Sequence, residues 1–123
     1  MTNDRLQDMF RWQDRFNQSI RQARNLDWDS STWIQKEALA LMVELAEVVE
    51  EARFKWWKNP PPVDSRKLHE ELVDVFHFFL SMCLDAGMDA EALYQGYLAK
   101  NQENFRRQQG LSDKPGYSVD PSS

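Results

Sequence analysis

The sequence predicts an all-α fold, a four-helix bundle whose central pair of helices is an antiparallel hairpin. Only 4 glycines and 5 prolines occur in 123 residues, so long uninterrupted elements are expected. Apolar residues recur at spacings of three and four, which is the period of an amphipathic helix. The large apolar load of these helices favours completion of the bundle by oligomerisation, as a homodimer or a dimer of dimers. We expect residues 1–123 to form a single domain, with residues 111–123 as a loop or flexible tail.

The first helix is expected from about Asp4 to Arg24. The second is expected to begin near Ser31 or Thr32, because Thr32 and Gln35 have the spacing of a capping box. Apolar residues nearly encircle this second helix, which predicts that it is central and mostly buried. It is expected to continue through residues 54–57 and to end before a run of three prolines, which cannot continue a helix.

Asp64 is a suitable N-cap for the third helix, which is expected to run to about Asp85. Gly87 follows as a natural stop, because glycine adopts the left-handed conformation that ends many helices. The fourth helix is expected from about residue 89 to residue 109, with Gly110 beyond it. The short turn between the second and third helices makes them antiparallel neighbours.

Composition excludes several classes of partner. The net charge of −5 and the pI of about 5.0 argue against a nucleic-acid or anionic membrane surface. Cys83 is the single cysteine, so no internal disulfide is expected, which favours a reducing cytoplasmic location. We expect Cys83 to pack as a small buried hydrophobe rather than to act as a nucleophile. Neither a signal peptide nor an apolar run long enough to span a bilayer is visible.

Two pairs of carboxylates lie within otherwise apolar stretches of the central hairpin. Glu44 and Glu47 form one pair, and Glu71 and Asp74 form the other. Residues three apart share one face of a helix, so two such faces opposed across the hairpin bring four negative charges together. That arrangement needs a cation between the helices. Hard oxygen ligands suit Mg²⁺, and also Mn²⁺, with positions left for a phosphate, so the pattern predicts metal-assisted phosphate chemistry.

Two other interpretations of these carboxylates fit the sequence less well. A lone E-x-x-E on a helix is usually a solvated face, but the apolar neighbours of Glu44 and Glu47 argue against that. A di-iron carboxylate bundle needs Glu-x-x-His on two helices, and this chain offers only Asp74-x-x-His77, once. We therefore expect His77 and His69 to be structural or surface residues rather than metal ligands.

The two carboxylate pairs are separated by 23 residues, and four segments occur in order along the chain, the third of which contains Glu71 and Asp74. The segments are MFRWQDRFN at 9–17, RFKWWK at 53–58, EELVDVFHF at 70–78, and Tyr97, Lys100, Asn104, Arg107 and Gly110. Together they resemble the all-α nucleoside triphosphate pyrophosphohydrolases, the MazG-like enzymes, and most closely the dimeric dUTPase branch. The resemblance spans most of residues 5–117.

The resemblance implies Mg²⁺-dependent hydrolysis of dUTP to dUMP and pyrophosphate. All four carboxylates would hold Mg²⁺, and Glu44 or Glu47 would orient or deprotonate the attacking water, with Glu44 the first choice. Gln13 and Asn17 would recognise the edge of the base. The other substrate-binding residues implied are Lys55, Trp56, Trp57, Lys58, Lys100, Asn104 and Arg107.

The chain departs from the dimeric dUTPases in being short between Asp74 and Lys100. A partner subunit would then complete the nucleotide pocket, or base selectivity would be looser. The first alternative function is therefore a broader or dCTP-directed nucleoside triphosphate pyrophosphatase. An alternative of another class is a non-catalytic helical interaction protein with a structural metal.

Overall fold

The computed structural model describes residues 4–117, and all regular structure in that range is helical. The helices are α1 (Arg5–Ala23), α2 (Ser30–Glu51), α3 (Ser65–Asp85) and α4 (Ala90–Gln108). The predicted all-α class with four helices is therefore confirmed. None of these helices is long and apolar enough to cross a membrane.

The chain divides into two compact units, Met1–Asp89 and Ala90–Ser123. In the first unit α2 packs along α3 as the expected antiparallel hairpin, and α1 packs on α3. Phe10, Leu80 and Cys83 are buried there, so Cys83 is the small core residue that was expected. Helix α4 and residues 109–117 belong to the second unit. Completion of the bundle by a second copy and a single-domain organisation both stay predictions.

Aspartates cap three of the helices. Asp4 and Asp64 cap α1 and α3, and Asp64 was predicted to do so. The capping box predicted for α2 is wrong, because its N-cap is Asp29, whose side chain accepts a hydrogen bond of 2.8 Å from the backbone N–H of Thr32. The carboxylate of Asp29 supplies the acceptor that the first turn needs, so α2 begins at Ser30 and the hydroxyl of Thr32 is not required as a cap.

The prediction that α2 continues through residues 54–57 is also wrong, because the helix ends at Glu51. Arg53 adopts a left-handed backbone with φ of 60°, and its N–H donates to the carbonyl of Glu50 at 3.0 Å. A left-handed residue closes a helix, and it is usually glycine. Arginine gave no such signal in the sequence. At the end of α3, by contrast, Gly87 has φ of 80° and stops the helix as predicted.

Burial of α2 differs from the prediction as well. Only Glu37 is buried on this helix, whereas Leu39, Met42 and Val43 are 62%, 63% and 60% exposed. Helix α3 covers one side of α2, and the apolar residues on its other sides face outward from this single chain. The prediction of a mostly buried α2 is therefore wrong for one copy of the chain.

Candidate metal and nucleotide site

Three carboxylates converge where α2 and α3 face each other. Glu44 and Glu47 are one turn apart on α2, and Glu71 lies opposite on α3. One oxygen from each lies within 4.8 Å of the others. Glu44 and Glu71 are half-buried, and Glu47 is exposed. Asp74, one turn after Glu71, is outside this group, but its charge contributes to raising the pKa of Glu44 and of Glu71. The structure thus brings together three of the four predicted carboxylates and places the fourth beside them.

The electrostatics of this carboxylate cluster are those of repelling charges. Hydrogen bonding to Glu47, together with burial and the charges of the other carboxylates, raises the pKa of Glu71 to about 7. Burial and the neighbouring Glu47 also raise the pKa of Glu44. None of the ion pairs among residues 4–117 includes any of the three. The cluster therefore holds protons or attracts a cation from outside the chain.

The donor set fits a hard divalent cation. One oxygen of Glu44 and one of Glu71, both named Oε2, are buried and have no hydrogen-bond partner among the described residues. Unpartnered buried oxygens are costly, and a cation between the two helices would satisfy both. Carboxylate oxygens alone are the ligands of Mg²⁺ or Mn²⁺ rather than of a soft metal. Glu44, Glu47 and Glu71, with Asp74 beside them, are the residues that would hold such an ion.

A cavity of about 440 Å³ leads away from the carboxylates between α1, α2 and α3. Its volume is in the range of small-molecule sites. Glu44 and Asp74 line it at the cluster, and the remaining lining residues are Gln13, Phe16, Asn17, Ile20, Arg21, Trp33, Glu37, His77, Phe78 and Ser81. Aromatic and aliphatic walls with a few polar groups are typical of a pocket for a planar, partly polar ligand.

A chain of hydrogen bonds crosses this cavity from α1 to α3. The Nε2 atom of Gln13 donates to Oδ1 of Asn17 at 3.0 Å, and Nδ2 of Asn17 donates to Oγ of Ser81 at 3.1 Å. The hydroxyl of Ser81 in turn donates to the backbone carbonyl of His77 at 3.1 Å. The two amides expected to recognise a base thus line the cavity and bond to each other, and Asn17 also bonds to Ser81, a serine that sequence reasoning missed.

A second acidic cluster lies further along the cavity and carries its own cation. The Nη2 atom of Arg21 lies 3.0 Å from Asp85 and 3.4 Å from Glu37, and its guanidinium stacks 3.9 Å from the ring centre of Trp33. Burial raises the pKa of Glu37 to about 8, with hydrogen bonding to Asp85 and the charge of Asp85 adding to it and Arg21 opposing it. The sequence held a signal for Glu37, which lies in the apolar run seven residues before Glu44 and hence on the same face of α2.

Four of the predicted substrate-binding residues lie in the loop after α2. Trp56 is 87% exposed and Trp57 58%, and their rings meet edge to face at 5.8 Å. Lys55 pairs with Glu50 at 3.4 Å, and Lys58 is exposed. None of the four lines the cavity. Because α2 ends at Glu51 and not after residue 57, these four residues lie in a loop and not on the helix.

The other three lie on α4 in the second unit. Lys100 and Asn104 are exposed. Arg107 donates from Nε to Glu103 at 3.2 Å, and its guanidinium lies 5.6 Å from the ring centre of Tyr117. Hydrogen bonds from Ser112 and from Arg107 lower the pKa of Glu103, against the effect of burial. The phosphate-binding roles of Lys100, Asn104 and Arg107 stay predictions.

Comparison with known proteins shows the family to which the chain belongs. The sequence model of a family described as dUTPase matches residues 5–92. A dCTP pyrophosphatase of Enterobacteria phage T4 is 39% identical over 74 residues, which are 60% of this chain and 43% of that protein. The dCTP pyrophosphatase of Enterobacteria phage LZ5 is 36% identical over 74 residues, again 60% and 43% of the two chains.

A DNA replication protein of phage T4 is 37% identical over 68 residues, 55% of this chain and 17% of its own length. The matched segment therefore spans less than half the length of each of these relatives. No solved structure is significantly similar to the chain.

Proposed function

Because the chain belongs to the dUTPase family whose model matches residues 5–92, we propose that it hydrolyses a pyrimidine deoxynucleoside triphosphate to the monophosphate and pyrophosphate. The observation that carries this proposal is the convergence of Glu44, Glu47 and Glu71 beside a cavity of ligand size, which Glu44 itself lines. Glu44 and Glu71 are half-buried and repel each other and Glu47, and a bound cation would offset this repulsion.

The proposed cofactor is Mg²⁺, with Mn²⁺ as a substitute. When bound, a divalent cation supplies charge neutralisation for the triphosphate oxygens. Glu71 and Asp74 on α3 face Glu44 and Glu47 on α2, so ligands on both helices would fix the position of the phosphates relative to the cavity. Asp74 and Glu44 also line the cavity itself, which supports binding of phosphate and nucleoside side by side.

Glu44 is the proposed base that orients or deprotonates the attacking water. Two observations favour it over Glu47. Glu44 is half-buried and lines the cavity, whereas Glu47 is exposed. Burial also raises the pKa of Glu44, and a carboxylate with a raised pKa is a stronger base. The water would attack a phosphorus held against the cluster, its proton would pass to Glu44, and the bridging P–O bond between the α and β phosphates would break to release the monophosphate and pyrophosphate.

The base of the nucleotide is proposed to lie between α1 and α3, against Phe16 and Phe78, with Gln13 and Asn17 at its polar edge. There are two candidate substrates, dUTP and dCTP. The family description favours dUTP, and the names of the phage relatives favour dCTP. Hydrolysis would remove either nucleotide from the precursors of DNA, and the proposed location is the cytoplasm, as the single cysteine leads us to expect.

A second copy of the chain is part of the proposal. Large apolar side chains are exposed on all three helices of the first unit, including Trp12 at 67%, Val43 at 60% and Val73 at 53%. Trp12 and Val73 line an open apolar groove of about 520 Å³ between α1 and α3. Surfaces of this kind mark protein interfaces. Analytical ultracentrifugation tests this, and a monomer at high concentration would refute it.

The experiment that tests the proposed function is pyrophosphate release from a panel of nucleoside triphosphates, with roughly millimolar Mg²⁺ and with EDTA. The expected result is turnover that requires the metal and that is fastest with dUTP or dCTP. Turnover of purine nucleotides at equal rates would retain the metal site and reject the pyrimidine assignment. Absence of turnover with every nucleotide would reject the catalytic proposal in favour of a non-catalytic helical protein with a structural metal.

A further inference from the structure

Helix α4 and the segment after it hold one arginine through a short chain of hydrogen bonds. Nε of Arg107 donates to Oε1 of Glu103, one turn earlier, at 3.2 Å. The hydroxyl of Ser112 donates to the same oxygen at 2.5 Å, and the backbone N–H of Lys114 donates to the Ser112 oxygen at 3.2 Å. The groups that hold Arg107 thus all belong to the second unit, Ala90–Ser123.

The direction of each of these bonds follows from the groups themselves. A carboxylate only accepts and a guanidinium only donates, so the Ser112 hydroxyl gives its one hydrogen to Glu103. Hydrogen bonds from Ser112 and from Arg107 lower the pKa of Glu103, against the effect of burial, so this side chain is charged at neutral pH. Glu103 is therefore a fixed anionic acceptor on the Nε side of the Arg107 guanidinium.

The two terminal nitrogens of Arg107 stay available to a ligand. Neither Nη atom has a hydrogen-bond or ion-pair partner among residues 4–117, and the side chain is 22% exposed. The ring of Tyr117 lies against the guanidinium, 5.6 Å from ring centre to Cζ. With Nε engaged by Glu103, the guanidinium presents Nη1 and Nη2 together. That pair of donors matches two oxygens of one phosphate.

The neighbouring Arg106 shows the opposite arrangement. Its Nη2 atom donates to the backbone carbonyl of Leu111 at 3.1 Å, and its Nε lies 3.9 Å from Oε2 of Glu103. A terminal nitrogen of Arg106 thus holds the segment after α4, whereas those of Arg107 bond to nothing within residues 4–117. Each oxygen of Glu103 faces one of the two arginines, and only Arg107 is left with both terminal nitrogens open.

We propose that Glu103, held by Ser112, is a positioning residue that sets Arg107 with both Nη atoms toward the phosphates of a nucleoside triphosphate. The inference rests on the proposed function for the identity of that ligand. Glu103 does not itself touch the phosphates, because two anions repel each other. It acts by fixing which donors of Arg107 remain for the ligand.

This role predicts a sign opposite to that of a simple charge effect. Removing Glu103 makes the surface around Arg107 more positive, which by charge alone strengthens the binding of an anion. A positioning role predicts weaker binding, since the guanidinium is then free to turn and has to be ordered by the ligand. The direction of the change in affinity therefore decides between the two.

The test measures the affinity of the whole protein for inorganic tripolyphosphate by isothermal titration calorimetry, at low ionic strength with roughly millimolar Mg²⁺. In Glu103→Ala the affinity is expected to fall by about tenfold, as for the loss of one hydrogen bond to a charged group. In Glu103→Gln, whose amide oxygen still accepts from Arg107 and Ser112, the fall is expected to be less than about threefold. The matched control is Glu91→Ala, which removes an exposed carboxylate from the same helix and is expected to retain the wild-type affinity.

A double variant separates positioning of Arg107 from general support of α4. Lysine has no planar fork for Glu103 to orient, so Arg107→Lys alone is expected to weaken binding. Adding Glu103→Ala to Arg107→Lys should then cause no further loss. Losses that add in full would mean that Glu103 supports the helix and not Arg107, and they would overturn the inference. Circular dichroism establishes that each variant is folded, and Ser112→Ala, expected to weaken binding in the same direction, serves if Glu103→Ala is not.

The outcomes separate this inference from the function on which it rests. Tighter or unchanged binding of tripolyphosphate by folded Glu103→Ala protein, or no binding by the wild-type protein, overturns the role of Glu103 even if nucleotides are hydrolysed. Absence of pyrophosphate release from every nucleotide defeats the proposed function. If tripolyphosphate binding still depended on Glu103 in that case, the positioning of Arg107 would stand and only the reaction would be wrong.

Discussion

Two acidic clusters lie on the same pair of helices and differ in one respect. Glu37 of α2 and Asp85 at the end of α3 share the guanidinium of Arg21. The other cluster, formed by Glu44, Glu47 and Glu71, has no such counter-ion, because no cationic side chain among residues 4–117 pairs with these carboxylates. The first cluster is complete within the chain and contributes to the fold. The second is incomplete within the chain, which is the property expected of a site that binds a cation and a phosphate ligand.

The comparison shows how to separate structural from functional carboxylates when both are partly buried. Burial alone does not distinguish them, because the pKa is raised in both clusters, to about 8 for Glu37 and about 7 for Glu71. The presence of an internal counter-ion does distinguish them. Substitutions should therefore have opposite effects: removing a charged group is expected to destabilise the Arg21 cluster and not the Glu71 cluster.

The largest effect on stability is expected from Arg21→Met. Loss of the guanidinium leaves Glu37 and Asp85 facing each other in the interior without a cation. Breaking such a buried arrangement typically costs about 3 to 5 kcal/mol in the free energy of unfolding. Urea denaturation followed by circular dichroism measures this. The matched control, Arg15→Met, removes an exposed arginine that lies over Trp12 and is expected to cost less than about 1 kcal/mol. Equal losses in the two variants would contradict a structural role for the Arg21 cluster.

The second effect in size is expected on the activity of the Glu71→Gln variant. Loss of one charged ligand is expected to lower the rate of pyrophosphate release by about a hundredfold or more. In EDTA the same variant is expected to be at least as stable as the wild-type protein, because repulsion with Glu47 and Glu44 is relieved. The adjacent Glu70→Gln is the control, since Glu70 is exposed and pairs with Arg66. A folded Glu71→Gln protein with wild-type turnover would end the catalytic interpretation.

A smaller effect is expected from the metal itself. An ion that binds the folded chain alone stabilises it by about 1.4 kcal/mol when its concentration is ten times the dissociation constant. Mg²⁺ should therefore raise the free energy of unfolding of the wild-type protein, and EDTA should reverse the change. In Glu71→Gln the stabilisation should be lost, and in Arg21→Met it should persist. Stabilisation by Mg²⁺ that is the same in wild-type and Glu71→Gln proteins would place the ion elsewhere.

The sequence alone predicts one of the two clusters, that of Glu44, Glu47 and Glu71, but not the cluster around Arg21. Two E-x-x-E/D pairs at helical spacing on a predicted hairpin place Glu44, Glu47 and Glu71 together, because the period of the helix and the short turn leave little freedom. The Arg21 cluster depends on how α1 lies across α2 and α3, which local spacing does not determine. Glu37 was visible as a charge in an apolar run, but Asp85 and Arg21 were not identifiable as its partners.

The elements that prediction missed have local causes. Arg53 ends α2 in a left-handed conformation that sequence rules assign to glycine, so Trp56 and Trp57 were placed on a helix instead of in a loop. Helix α2 was expected to be buried because apolar residues encircle it. Burial depends on which surfaces meet, and a single chain supplies α3 on only one side. Ser81 was missed because a serine in a helix carries no signal until its partners are known.

The smallest effect is expected when the pH is changed. It concerns the free energy of unfolding and involves both acidic clusters. Glu37 and Glu71 have pKa values raised above the ordinary 4.5. Between pH 4.5 and the raised pKa, the folded protein binds more protons than the unfolded chain, so stability falls as the pH increases. The stabilisation is complete below about pH 4.5 and is lost as the pH passes 7 for Glu71 and 8 for Glu37.

Denaturation in EDTA from pH 4.5 to 9 tests this, with one variant for each cluster. Glu71→Gln should remove the part of the decline that ends near pH 7, and Glu37→Gln the part that ends near pH 8. With Mg²⁺ present only the Glu71 part should disappear, because a bound cation takes the place of the proton there, whereas Arg21 already occupies the other cluster. If Mg²⁺ left the whole fall of the free energy of unfolding with pH unchanged, the two clusters would be alike. The distinction between a structural and a metal-binding cluster would then be wrong.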